Sequence, residues 1–282
     1  MALPVYASPA ERVWHYVYHV FCAGVFVFLI APILVIIPLS FNAEPYFTFT
    51  EGMLRFDPAA YSLRWYRDFL QNPQWLHAVK NSIIIASSAT LLATTLGTIA
   101  ALGLSRSEMP MRKTVMSILI APMIVPIIIA AAAMYFFYSQ FDLAQTYAGI
   151  ILAHTALGTP FVVITVTATL TGFDRSLVRA AQSLGAGPAF TFFKVVLPLI
   201  LPGVISGALF AFITSFDEVV VVLFLAGYDQ RTIPRQMWAG IREQISPTIL
   251  AVATILIVIS IALLTTVELL RRRSLRLRGV RE

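Results

Sequence analysis

The sequence predicts an all-α polytopic membrane protein with six transmembrane helices. Of its 282 residues, 59% are hydrophobic and only 12% are charged, whereas a soluble domain carries about 25% charged residues. Apolar segments close to the roughly 20 residues that a helix needs to cross a bilayer recur along the chain. We therefore expect one transmembrane domain over residues 17–270, preceded by a short cytoplasmic segment (1–16) and followed by a basic cytoplasmic tail (271–282).

Six apolar segments support the six-helix prediction, and an even number of spans puts both termini on one side of the membrane. The N-terminus lacks the features of a cleaved signal peptide, because its first basic residue is Arg12 and its apolar run is too long. We expect this segment to be retained. The predicted spans are Val17 to Leu39, Ser82 to Leu104, Val115 to Tyr138, Ala148 to Leu170, Ile200 to Ala226 and Ile249 to Leu269.

The distribution of lysine and arginine predicts that both termini are cytoplasmic. Thirteen of the 20 basic residues fall on the side of the termini and of loops 105–114 and 171–199, and seven fall on the other side. The positive-inside rule places the richer side in the cytoplasm. An arginine-rich tail can bind nucleic acid, but beside an apolar span it more often marks the cytoplasmic side. We expect no nucleic-acid partner.

Two amphipathic stretches on the opposite side are predicted to form surface helices. The first runs from Ser62 to Ser82 and includes Trp65 and Trp75, and the second lies within the loop from Gly227 to Pro247. Aromatic residues of this kind anchor helices at the membrane interface. The same helices could also contact an extracytoplasmic binding protein, and the sequence leaves both roles open.

A polar loop from Gly172 to Gly207 interrupts the apolar pattern. Its composition suits a helix from Ser176 to Leu184, which Gly185 and Gly187 then break, and an amphipathic stretch follows before the next span. We expect two short helices at the membrane surface, joined by a glycine turn. The residues alone also allow an ordinary cytoplasmic loop.

This loop resembles the signature loop of the inner-membrane permease subunits of ABC importers, which reads E-A-A-x-x-x-G-A and then, after a spacer, L-P and P-G. Residues that match in order and spacing are Ala180, Ala181, Gly185, Ala186, Leu197, Pro198, Pro202 and Gly203. The resemblance implies a type I importer permease fold in which a cytoplasmic coupling helix docks into a groove on an ATPase subunit. Arg179 stands where the family usually has Glu, so the local charge pairing stays open. The coupling residues so implied are Arg179, Ala180, Ala181, Ser183, Leu184, Gly185 and Ala186.

Motifs for ATP hydrolysis, metal binding and common enzyme chemistry are missing from the sequence. No Gly is followed by Lys, which excludes a Walker A motif, and the single cysteine and the four histidines lack metal-ligand grouping. We expect neither an enzyme nor a bound metal or cofactor. The family resemblance implies that ATP and Mg²⁺ bind to the partner ATPase subunits.

Asp217 and Glu218 in the fifth span are the main candidates for a substrate pathway. A carboxylate in a spanning helix is costly if it faces lipid, so it usually lines a cavity or finds a partner. Successive residues differ by about 100° around a helix, so one carboxylate is expected to face the pathway and the other a neighbouring helix. A structural pair held by buried hydrogen bonds is the alternative. Ser215 and Thr165 could add to a polar lining.

Residues from His154 to Ile261 resemble more narrowly the second permease of spermidine/putrescine-type importers. The matching runs are HTALGTPFVVITVTATLTGFD, SFDEVVVVLFLAG and SPTILAVATILIV. The resemblance implies a small cationic substrate, delivered by a periplasmic binding protein to an inner-membrane complex of this chain, a second homologous permease and two ATPase subunits. Related permeases carry opines, amino-acid-like compounds or ferric iron, so the substrate stays open.

Two other function classes remain to be tested. In an ion-driven secondary transporter, the acidic pair would be a proton or cation site. In a membrane scaffold, the chain would have no transport role. Separately, Gly203 and Gly207 form a G-x-x-x-G pattern that permits close approach of helices, which we interpret as a subunit interface.

Overall fold

The computed structural model describes residues 8–106, 108–243 and 246–277. Helices dominate this part of the chain, and the β pairing within it is an isolated bridge between Asn42 and Tyr61. The predicted all-α fold class is therefore confirmed. The chain divides into two compact units, one formed by Met1–Asn72 with Gly240–Glu282 and the other by Pro73–Ala239.

The first unit contains a long exposed helix, α1 (Pro9–Leu39). It begins eight residues before the predicted span, because Ser8 caps it. The Ser8 hydroxyl accepts a hydrogen bond from the Glu11 backbone N–H, and the Glu11 carboxylate accepts one from the Ser8 N–H. This reciprocal pair satisfies two donors that a helix start leaves free. Only Leu39 of α1 is buried, so nearly all of its apolar surface can face lipid.

Short elements follow α1 in the first unit: α2 (Glu51–Leu54), a 3₁₀ turn (Pro58–Ala60) and α3 (Arg64–Gln71), with α13 (Thr248–Leu277) completing it. Trp65 is buried and donates its indole N–H to the Asn42 carbonyl at 2.7 Å. Thr248 donates its hydroxyl to the Asp68 carboxylate, also at 2.7 Å. These bonds anchor α3 to the preceding loop and to the start of α13.

The predicted single surface helix from Ser62 to Ser82 is wrong. Helix α3 ends at Gln71, and a new helix, α4 (Pro73–Leu104), begins two residues later and continues through the second predicted span. Proline has no backbone N–H and disfavours the helical conformation of the residue before it. Asn72 is accordingly extended, with φ −77° and ψ 118°.

The second unit is built on α4, α7 (Tyr147–Thr171) and α10 (Leu197–Phe216). These helices meet at three small residues: a Cβ added to Gly158 would lie 3.1 Å from the Ala211 Cβ and 3.4 Å from the Ala93 Cβ. Small side chains allow the helix backbones to approach closely. The remaining helices are α5 (Arg112–Ile124), α6 (Ile127–Ser139), α8 (Ser176–Ser183), α9 (Pro188–Thr191), α11 (Val220–Leu225) and α12 (Ile233–Glu243). Helix α12 confirms the helix predicted in the last outer loop.

The G-x-x-x-G pattern packs inside this unit. A Cβ at Gly207 would lie 2.5 Å from the Thr165 hydroxyl and 2.8 Å from the Val162 Cα, and a Cβ at Gly203 would overlap Thr169. Both glycines therefore face α7. The interpretation of the pattern as a subunit interface is wrong, because α7 occupies that face.

Four helical segments of the described chain are long and apolar enough to cross a membrane: α1, α4, α7 and Pro188–Phe216. A fifth is obtained if α5 and α6 count as one span. The chain is thus a multi-pass membrane protein, and the described residues account for four or five of the six predicted spans. The sixth, from Ile249 to Leu269, falls within α13, whose apolar described part is Thr248–Ala262.

The third predicted span, Val115 to Tyr138, is not straight. Helices α5 and α6 are inclined by 102° to one another. The cause lies in the sequence, because Pro126 cannot donate a helical hydrogen bond and Val125 before it is extended, with φ −68° and ψ 134°.

The two flanking segments are only partly described. Helix α1 begins at Pro9, inside the predicted N-terminal segment. Residues 1–7 of that segment lie outside the described part. Helix α13 runs through the start of the predicted tail to Leu277, so Arg278 and Arg281 lie outside it as well.

Candidate functional site

The loop between α7 and α10 contains α8, and Asp174 fixes the start of this helix. Its carboxylate accepts hydrogen bonds from the Ser176 backbone N–H at 2.8 Å and from the Ser176 hydroxyl at 2.7 Å. Bonds from the side chain and the backbone of Ser176, with a smaller contribution from the charge of Arg179, lower the pKa of Asp174. The predicted helix from Ser176 is thereby confirmed.

Gly185 terminates α8 in a left-handed conformation, with φ +81°. The Gly185 N–H donates to the Gln182 carbonyl at 2.9 Å, and the Ala186 N–H donates to the Ala181 carbonyl at 3.0 Å. This pair of bonds is the Schellman motif, which requires a residue that tolerates positive φ. The positive φ at the end of α8 therefore explains why the signature pattern has a glycine at position 185.

The residues predicted to couple to an ATPase form a largely exposed surface around this turn. Leu184, which follows the last residue of α8, is 89% exposed and is therefore accessible to another subunit. The Ser183 hydroxyl is bonded to the Arg179 carbonyl at 2.9 Å. Arg179, Ala180, Ser183 and Gly185 are exposed, and Ala181 and Ala186 are partly buried.

The second short helix predicted in this loop is not separate from the next span. Helix α9 continues through a π-helical turn (Phe192–Val196) directly into α10. The glycine turn therefore separates α8 from α9, whereas no turn separates α9 from α10. Pro198 directly follows the π-helical turn and does not interrupt the helical path from α9 into α10.

The acidic pair lies at a break in the predicted fifth span, Ile200 to Ala226. Helix α10 ends at Phe216, residues 217–219 are non-helical, and α11 begins at Val220. The prediction of one continuous helix is therefore wrong here. The break frees backbone groups that need other partners.

The two carboxylates have different environments at this break. Glu218 is partly buried and accepts a hydrogen bond from the Val221 backbone N–H at 2.9 Å, so it caps the start of α11. Asp217 is exposed. The sequence predicted that the two would face different ways, and in the structure Asp217 is exposed whereas Glu218 bonds to the start of α11.

The other two polar residues predicted to line a pathway are packed between helices. Ser215 is 5% exposed, and its hydroxyl lies 2.7 Å from Nδ1 of the buried His154 on α7. Thr165 donates its hydroxyl to the Phe161 carbonyl at 2.9 Å and lies against Gly207. Their part in a pathway stays a prediction.

Sequence reasoning missed a polar cluster around the Asp229 backbone carbonyl. Three side chains converge on this oxygen: His77 Nε2 and Asn81 Nδ2 each at 2.7 Å, and the Tyr147 hydroxyl at 3.0 Å. The cluster ties the loop before α12 to α4 and α7. No side-chain pattern could have revealed it, because the shared acceptor is a main-chain atom.

The fold and the coupling loop match a known family over most of the chain. The family model described as binding-protein-dependent transport system inner membrane component matches residues 93–276, a range that includes α8 and the acidic break. The chain belongs to this family of ABC permease subunits.

Two relatives are permeases named for polyamines. The chain is 31% identical over 250 residues to the spermidine/putrescine transport system permease protein PotC of Haemophilus influenzae, which covers 89% of this chain and 94% of the relative. It is 33% identical over 262 residues to the putrescine transport system permease protein PotI of Escherichia coli K12, covering 90% and 88%. The chain is homologous to these permeases.

A solved structure has the same fold. The chain matches a protein of a bacterial ABC transporter involved in the import of the acidic polysaccharide alginate, with a TM-score of 0.71 and 15% identity, over 96% of this chain and 99% of the other. This match confirms the predicted importer permease fold and says nothing about the substrate of the present chain.

Proposed function

We propose that this chain is one permease subunit of an ATP-driven importer for a small polyamine of the spermidine or putrescine class. The observation that carries the proposal is the exposed carboxylate of Asp217 at a helix break within an apolar segment. The names of the two homologous permeases support the same substrate class.

The chemistry around Asp217 suits an ammonium group. A carboxylate within an apolar segment favours a cationic partner, because a charge away from water needs compensation. Phe212 and Phe216 precede it on α10 with their rings stacked at a centroid distance of 5.6 Å. Aromatic faces attract ammonium groups, so these rings could hold a passing cation beside the carboxylate.

The other proposed pathway residues shape the break. Glu218 holds the start of α11 through its bond to the Val221 N–H. Ser215 ties the end of α10 to His154, and Thr165 fills the contact opposite Gly207. We assign Glu218 and Ser215 the role of positioning the Asp217 carboxylate, and Thr165 the role of holding α7 against α10 at Gly207.

Energy would come from separate ATPase subunits, which would bind ATP and Mg²⁺. The exposed surface of α8, with Leu184 at its tip, is suited to docking in a groove of such a subunit. Arg179 stands where the family usually has Glu, and it would pair with an acidic residue of the ATPase groove. Closure of the ATPases would then favour one of two rigid-body states of the helices, and the loaded binding protein would favour the same state.

The proposed assembly is a bacterial inner-membrane complex of this chain, a homologous permease, two ATPase subunits and a periplasmic binding protein. The lysine and arginine distribution supports cytoplasmic termini and a cytoplasmic α8. Membership of the family of binding-protein-dependent transport components supports the general composition.

The test is uptake of radiolabelled putrescine and spermidine in cells that carry the intact gene, no gene, or a variant. Asp217→Asn should lower uptake about tenfold or more, because a charge-assisted hydrogen bond contributes about 1.5–3 kcal/mol and 1.4 kcal/mol is a factor of ten. Glu218→Gln should have a smaller effect, since a neutral amide oxygen can still accept from Val221. Asp142→Asn, at an exposed aspartate outside the break, is the control.

Polyamine uptake that does not depend on the gene would refute the substrate, and competition by unlabelled opines or amino acids would then direct the search. Uptake that persists after loss of the partner ATPase gene would refute the ATP-driven mechanism and favour an ion-driven transporter. Normal uptake by the Asp217→Asn variant would make the acidic pair structural.

A further inference from the structure

We infer that the second unit binds the phosphate headgroup of an anionic phospholipid in a cavity between the ends of α4 and α7 and the loop that carries α8. The cavity has a volume of about 480 Å³, within the range of ligand sites. Its lining begins at Leu102 and Leu170, close to the ends of two spans at Leu104 and Thr171. This position puts the cavity near the level of lipid headgroups.

The rim of the cavity is strongly basic. Arg106, Arg175 and Arg179 line it, and none of its lining residues within the described part of the chain is acidic. Arg175 donates one N–H to the Ser105 carbonyl and keeps further donors, and none of the three forms an ion pair with a carboxylate in the described part of the chain. Asp174 acts on Arg179 through its charge, but its oxygens are held by Ser176. Guanidinium groups such as those of Arg106 and Arg175 bind phosphate through paired hydrogen bonds, and Arg179 adds positive charge to the same lining.

A buried hydroxyl provides a second, independent observation. Thr191 lines the cavity and is 3% exposed, yet its Oγ1 has no hydrogen-bond partner among the described residues. Among the buried polar atoms without a partner in the described residues, Thr191 Oγ1 is the one whose residue lines this cavity, and such an atom is usually bonded in native proteins. A phosphate oxygen is an acceptor that would satisfy both the arginines and this hydroxyl.

The position of the cavity favours a lipid over a free phosphate, because its lining lies close to the ends of two spans, near the level of lipid headgroups. Part of the lining is apolar, and these side chains belong to or pack against the core of the second unit. The apolar lining residues are Leu102, Leu170, Phe173, Val178, Phe192 and Val196.

The experiment measures lipid binding to the purified full-length chain in detergent by native mass spectrometry, with short-chain phosphatidylglycerol, phosphatidylcholine and inorganic phosphate as separate probes. We expect phosphatidylglycerol to bind about tenfold more tightly than phosphatidylcholine. Arg106→Gln and Thr191→Val should each reduce that preference several-fold. The Thr191→Val protein should be at least as thermally stable as the parent, because the change removes an unpartnered buried hydroxyl without changing the side-chain shape.

Lys194→Gln is the matched control, because Lys194 is exposed on the same loop and does not line the cavity. An equal loss of binding in this variant would overturn the proposal in favour of diffuse charge attraction. The proposal would also be overturned if phosphatidylcholine or inorganic phosphate bound as tightly as phosphatidylglycerol. Unchanged lipid binding with loss of ATPase co-purification in the Arg106 and Thr191 variants would assign the cavity to the ATPase instead.

Discussion

His154 Nδ1 lies 2.7 Å from the Ser215 hydroxyl, and this hydrogen bond joins α7 to α10 two residues before the break at Asp217. Both residues are buried in an apolar contact. A polar pair in such surroundings specifies how two helices align, because any shift leaves both groups without a partner. The bond therefore fixes the end of α10 from which the break begins.

Replacing Ser215 by Ala should destabilise the protein by about 1–3 kcal/mol. The change would leave Nδ1 of His154 without its partner, and Nε2 of the same ring already has none among the described residues. The measurement is thermal unfolding of the purified chain in detergent. Ser139→Ala is the control, because the Ser139 hydroxyl is exposed and bonds its own helix at Tyr135. Equal unfolding temperatures for the two variants would contradict the role assigned to the pair.

Replacing Gly185 by Ala should weaken the end of α8 by about 1–2 kcal/mol, because the left-handed conformation is unfavourable for a residue with a Cβ. Gly187→Ala should be nearly neutral, since Gly187 has φ −70° and a Cβ there would have open space. Co-purification of the ATPase subunits and uptake should fall only for the Gly185 variant. Loss in both variants, or in neither, would refute the coupling role of the turn.

Replacing Gly207 by Ala should cost about 1–3 kcal/mol through overpacking. The added Cβ would lie 2.8 Å from the Val162 backbone on α7, which cannot move without displacing a helix. Gly103→Ala provides the comparison, because Gly103 is also helical and its Cβ would meet no atom within 4 Å. We expect Gly103→Ala to be neutral or slightly stabilising. Similar thermal unfolding of both variants would show that α7 and α10 are less closely packed than described.

The pKa of Asp174 should rise towards its ordinary value of 3.8 when Ser176 is replaced by Ala, because the hydroxyl bond that contributes most to lowering it is lost. A carboxyl with a lowered pKa stabilises the folded state above pH 3.8, and that stabilisation disappears as the pH falls through the folded value. Carboxyl-carbon NMR titration of Asp174 measures the change. Ser183→Ala, at the other end of α8, should leave the titration unaltered, and an unaltered titration in the Ser176 variant would refute the assigned cause.

Local signals in the sequence were sufficient for the fold class and, together with the family resemblance, for the loop from Ser176 to Ala186. Apolar length predicts membrane spans because each span must satisfy its own backbone hydrogen bonds within the helix. Gly185 predicts the end of α8 because a glycine can adopt the left-handed conformation that ends a helix without help from distant residues. Both features need no distant contact.

Two of the errors arose where a segment of suitable composition contains a local interruption. Proline at position 73 divides the predicted surface helix. This proline was visible in the sequence, but many transmembrane helices tolerate proline when neighbours satisfy the freed groups. The break at residues 217–219 contains no proline, and the helix after it begins with a hydrogen bond that the Val221 N–H donates to the Glu218 carboxylate.

The sequence alone determined that this chain is a helical membrane protein, that its loop resembles the signature loop of importer permeases, and that its fifth apolar segment carries an acidic pair. Only the tertiary structure decided which face the glycines of α10 occupy and that His154 meets Ser215. The physical reason is that composition and periodicity act over neighbouring residues, whereas these choices depend on atoms of helices 40 or more positions apart in the chain, such as residues 162 and 207.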